Sequence, residues 1–79
     1  MKRAYEENGV IKHADMKEAD LSLLSEKAQE VLSLSSFDIA IDREGTYYFA
    51  ASQGQNFSKI GDLKELDECL EAYAEKEGI

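Results

Sequence analysis

The sequence predicts an α+β fold: a two-layer sandwich with two helices packed on one face of a small antiparallel sheet, in the order α-β-β-(β)-α. Three observations predict it. Apolar residues recur at helical spacing between Asp15 and Ser33, they alternate on both sides of a turn between Phe37 and Ala51, and a second helical stripe follows Asp62. With 79 residues, no proline, no internal repeat and no low-complexity linker, residues 1–79 read as a single domain. A domain of this size buries only about 60–65% of the surface its unfolded chain exposes, so its margin of stability is narrow and a second subunit would add to it.

In the first segment, "RAYEENGVIKHA", Asn8-Gly9 is a type I′ turn signal. Folding about that pair sets Glu7 opposite Val10, Glu6 opposite Ile11 and Tyr5 opposite Lys12. No clean apolar face results, so residues 1–14 are either a short hairpin or a loosely held arm. Leu21, Leu24, Ala28, Val31 and Leu32 then form the stripe of an amphipathic helix, with Glu26, Lys27, Gln29 and Glu30 on the other side. Asp20 or Ser22 is the expected cap, in which case "DMKEA" is an earlier turn rather than helix. Serines 33, 35 and 36 compete for backbone hydrogen bonds and end the element.

The next stretch, "SFDIAIDREGTYYFAAS", has the period of two strands joined by "DREG", with Gly45 as the left-handed residue of a three-residue hairpin loop. Counting outward from Asp42 and Thr46, Ile41 faces Tyr47, Ile39 faces Phe49 and Phe37 faces Ala51. One face of this β-hairpin 37–51 is apolar and is expected to carry both helices. Its other face, with Asp38, Ala40, Asp42, Thr46, Tyr48, Ala50 and Ser52, is expected to be bare. After the glycine-centred loop "SQGQ", Phe57 and Ile60 suggest a third strand. Asp62 with Glu65 is an aspartate version of the capping box, and Leu63, Leu66, Leu70 and Tyr73, widened by Ala72 or Ala74, form the inward stripe of the last helix.

Charge bounds the function classes. Seventeen Asp and Glu against nine Lys and Arg give a net charge of -8, which repels nucleic-acid phosphates and anionic lipid and attracts a basic partner. The expectation is therefore no direct nucleic-acid contact and no membrane association. "MKRAYEENGV" has no apolar run of the signal-peptide kind, and no segment approaches the ~18 apolar residues of a membrane span. A single cysteine, Cys69, forms no internal disulfide. A cytoplasmic protein is the expectation.

The chemistry of catalysis is sparse. His13 is the one histidine and has no evident companion, and Cys69 stands beside Glu68 in an acidic helix, where a thiolate is disfavoured; it reads as a small buried or half-buried hydrophobe. No phosphate loop, zinc cluster or calcium loop is written in the chain. The expectation is no enzyme, no cofactor and no metal.

Negative charge concentrates at the end. From Asp62 to Ile79 there are seven acidic side chains and two lysines, a net of -5. Asp67, Glu71 and Glu75 stand at i, i+4 and i+8, a like-charged row whose last members meet the negative end of the helix dipole. The row is either a solvated face or a recognition surface for a basic protein, in the manner of small acidic inhibitors of nucleic-acid-binding partners. The candidate partner-binding residues are Asp67, Glu68, Glu71 and Glu75 on the helix, with Tyr48 and Asp38 on the bare sheet face. The leading expectation is an inhibitor or regulator of a basic protein. The alternative is a homodimer or accessory subunit assembled through the Tyr48 face.

Overall fold

Asn8 and Gly9 both take positive φ, 52° and 79°, the backbone of a type I′ turn, so the chain reverses there into a hairpin. In the computed structural model, which describes residues 1–51 and 56–78, that hairpin joins β1 (Lys2–Glu7) to β2 (Val10–Glu18). Its register sets Glu7 opposite Val10, Glu6 opposite Ile11 and Tyr5 opposite Lys12. A 3-10 turn at Leu21–Leu23, α1 (Glu26–Leu34), β3 (Asp38–Asp42), β4 (Tyr47–Ala50), β5 (Phe57–Gly61) and α2 (Leu63–Glu77) follow. The "SQGQ" loop expected at 52–55 lies outside the described residues.

The five strands close into a mixed barrel in the order β1-β2-β3-β4-β5, with β1 and β5 completing the ring as a parallel pair. This overturns the two-layer sandwich and its α-β-β-(β)-α order. The physical reason lies in residues 1–18. Asp15 to Glu18 continue β2 where an earlier turn ahead of the helix was expected: Met16 is buried inside the barrel, and Met16, Lys17 and Glu18 pair with Asp42, Ile41 and Ala40 of β3. The missing apolar face of the first hairpin is also explained, because its inward polar side chains find partners. Arg3 pairs with Asp38 at 3.5 Å and lies over the Phe57 ring, and Glu7 pairs with Lys12 at 2.7 Å and Lys59 at 3.2 Å.

The β3–β4 hairpin has the register its alternation predicts, Ile41 to Tyr47 and Ile39 to Phe49. The barrel wall separates two cores. Outside it, Leu24, Ala28 and Val31 pack with Leu66, Leu70 and Ala74 against Ile39 and Tyr47, and Phe37 stacks edge-on with both Phe49 and Tyr73 at about 5 Å. Inside it, Met16, Ala40, Tyr48, Ala50 and Phe57 pack with Tyr5 and Ala14. The face expected to be bare is the barrel lining.

Both helices are capped. Ser25 is the N-cap of α1, three residues later than the latest of the expected caps, and Asp20 caps the 3-10 turn instead. Asp62 and Glu65 form the expected reciprocal capping box on α2. Gly61, at φ 137°, sits so close to that box that a Cβ there would lie 2.5 Å from the Glu65 carboxylate.

Candidate functional site

Helix geometry brings the carboxylates of α2 to one side, but not as one free row. Asp67 is half-buried and turned toward the start of α1, where it accepts the Ser25 amide at 2.9 Å and the Ser25 hydroxyl at 2.8 Å. The same hydroxyl accepts the Ala28 amide, so Asp67 anchors the α1 cap and belongs to the joint between helices. That corrects the reading of Asp67 as solvent-facing. Glu68, Glu71 and Glu75 are exposed.

Electrostatics couples this group. Hydrogen bonding with Asp67, then desolvation, then repulsion from Asp67, Glu75 and Glu68 raise the Glu71 pKa above its ordinary value. Burial pushes the Asp67 carboxyl the other way from its net shift: the Ser25 hydroxyl and amide and the contact with Glu71 outweigh it and hold Asp67 below its ordinary value. As pH falls, Glu71 takes the proton first and Asp67 keeps its charge.

Cations are placed elsewhere. Among the described residues the ion pairs are Met1 amino group to Asp15, Arg3 to Asp38, Lys12 and Lys59 to Glu7, and Arg43 to Asp15. All of them lie on the barrel, and none includes a side chain of α1 or α2. Among the described residues, therefore, no cation lies within salt-bridge distance of the α2 carboxylates.

Tyr48 and Asp38 are not brought to this surface. Tyr48 is 2% exposed, its ring 4.9 Å from that of Tyr5, and its hydroxyl donates to Asp42 at 2.8 Å. Burial, and then that hydrogen bond, push its pKa far above the ordinary phenol value, so it stays protonated. Asp38 is held half-buried by Arg3. The sheet face proposed for dimerisation is thus filled with side chains and is not a surface at all.

A groove of about 420 Å³ opens between β2 and the β3–β4 turn, lined by Asp15, Met16, Ile41, Asp42 and Arg43 among others. Its carboxylates are already engaged: Asp42 accepts the amides of Glu44 and Thr46 besides Tyr48, and Asp15 holds Arg43. His13 is exposed on β2, opposite Ala4. Cys69 is exposed on α2 rather than buried, because it lies one position off the Leu66–Leu70 stripe. Among the described residues no three His, Cys, Asp or Glu gather as a metal would need, and no helix is long and apolar enough to cross a membrane.

Sequence reasoning missed the Ser25–Asp67 clamp and the Tyr48–Asp42 pair. The second had a readable signal, since Asp42 and Tyr48 share a face and straddle the hairpin turn diagonally. The first joins residues 42 positions apart and left none. No family model, curated protein or solved structure matches this chain.

Proposed function

We propose that this chain is a binding module that inhibits or regulates a protein with a basic surface, engaging it through Glu68, Glu71 and Glu75 of α2. The observation that carries this reading is the uncompensated charge of that face. The hydrogen bond with Asp67, desolvation and repulsion from Asp67, Glu75 and Glu68 together raise the Glu71 pKa, and carboxylates so placed, with no cation within salt-bridge distance among the described residues, gain from cations supplied by a partner. Exposed charge of this kind steers encounter over about a Debye length, roughly 10 Å at 0.1 M salt. The same field disfavours nucleic acid and anionic membrane as direct ligands, and the function needs no cofactor and no catalytic step. The single cysteine, unpaired and exposed, fits a reducing, cytoplasmic setting.

The test compares two triple variants of equal net charge. Glu68→Gln/Glu71→Gln/Glu75→Gln removes three charges from the helix face, and Glu6→Gln/Glu18→Gln/Glu44→Gln removes three exposed charges from the barrel. The wild type and the barrel variant should capture the same basic protein from the native host and associate with it at rates that fall with added salt. The helix variant should associate more slowly and with a shallower salt slope. Equal rates and equal slopes in all three would overturn the proposal.

A further inference from the structure

The barrel is closed, but β2 is longer than the strand that covers it. Met16 and Met1 exchange both backbone hydrogen bonds, at 2.9 and 3.3 Å, which fixes the phase of the β1–β2 ladder. In an antiparallel pair such exchanges recur at every second residue. Lys12 and Ala14 therefore bond to β1, whereas Ile11, His13 and Asp15 aim their backbone N–H and C=O groups the other way. On that side β3 reaches only Met16, Lys17 and Glu18. Among the described residues the outer half of β2 is an unpaired strand edge, flanked by Val10 and Ile11, which are 55% and 48% exposed.

We propose that this edge binds a second copy of the chain, strand to strand, with the two β2 segments antiparallel about a two-fold axis at His13. Charge selects the occupant. β1 and β2 together carry four basic and four acidic side chains, so the whole -8 resides elsewhere, and this ribbon is the part of the molecule where two copies repel least. α2, with its carboxylates, packs mainly on α1 and β5. A basic partner has nothing to gain at a neutral edge, and an extended strand is what its free backbone groups require. The register follows from like-charge avoidance. Centring on His13 sets Lys12 opposite Ala14 of the other copy and Ile11 opposite its Asp15, so the added ladder runs from Ile11 to Asp15 and stops short of Met16, which Asp42 of β3 covers, whereas centring one residue earlier would set Lys12 against Lys12. This assembly is independent of the acidic helix face.

His13 is exposed, so it can be charged without touching either core. His13→Asp and His13→Lys each place like charges opposite one another across the axis, and an equimolar mixture of the two places opposite charges there. Sedimentation equilibrium from about 10 μM to about 1 mM should show a wild-type dimer, each variant weakened about fivefold, and the mixture restored to wild-type affinity or better. Far-UV circular dichroism checks that both variants fold, and Ile11→Asp, facing Asp15 across the same axis, should weaken the dimer likewise. A wild type that stays monomeric, variants that dimerise like wild type, or a mixture no tighter than its components would each overturn the proposal.

Discussion

Tyr48 shows how much one closed wall changes the meaning of a residue. On a bare sheet its truncation would cost little; inside the barrel Tyr48→Ala should cost about 3–5 kcal/mol, as large aromatic truncations in cores do. Tyr48→Phe keeps the ring and removes only the bond to Asp42, so about 1.5 kcal/mol is expected in urea melts, and a Phe variant as stable as wild type would mean that the bond carries no net weight. Ser25→Ala removes both the α1 cap and a partner of half-buried Asp67, for an expected loss of about 1–2 kcal/mol. In an Asp67→Ala background Ser25→Ala should cost less than in wild type, the remainder being the lost cap to the Ala28 amide, and strictly additive losses would refute the clamp. Alternation along the chain does reveal that Ala40, Tyr48 and Ala50 share a face. It does not reveal whether that face meets water or other strands, although two alanines around one tyrosine suit the confined lining of a small barrel better than a solvated sheet.

Elements were legible where their signals are local. The capping box at Asp62 and Glu65, the stripe of α2 and the β3–β4 register all follow from neighbours a few residues apart. The end of β2 was not, because "DMKEA" carries no apolar alternation and reads as a turn ahead of the helix, and only the pairing of Met16 to Glu18 with β3 makes it strand. Gly61→Ala should destabilise the start of α2 by roughly 1–2 kcal/mol, since its Cβ displaces the Glu65 carboxylate and its φ is one that side chains rarely adopt; a neutral result in thermal melts would show that the cap repositions freely. The α2 carboxylates respond to acid in opposite senses. Asp67 has a lowered folded pKa, so its contribution is complete above pH about 4 and fades as pH falls through the folded value. Glu71 has a raised one, so its ionisation opposes folding, beginning near the ordinary carboxylate pKa and complete above the folded value. Glu71→Gln should therefore match wild type in urea midpoint near pH about 3 and exceed it near pH about 7, and the reverse order would contradict the like-charge account.

For the molecule as a whole, -8 is a burden that salt lightens: raising ionic strength from about 0.01 to 0.1 M shortens the Debye length from about 30 to 10 Å, and the urea midpoint should rise. A falling midpoint would mean that the barrel's ion pairs outweigh the repulsion among the helix carboxylates. The seam where Tyr5 lies beside Phe57 carries a different consequence, one of time. The β1–β2 and β3–β4 hairpins are closed by turns of a few residues and can form in about 1–10 μs, but the parallel seam joins residues separated by most of the chain, and barrels dominated by such contacts fold in about milliseconds to seconds. Until β5 docks, Tyr5, Tyr48 and Phe57 line an open trough whose edges are free to pair with another chain. A nascent or refolding molecule is thus most vulnerable to aggregation in the interval before its first and last strands meet, and dilution during refolding should raise the yield of native protein more than any slowing of hairpin formation.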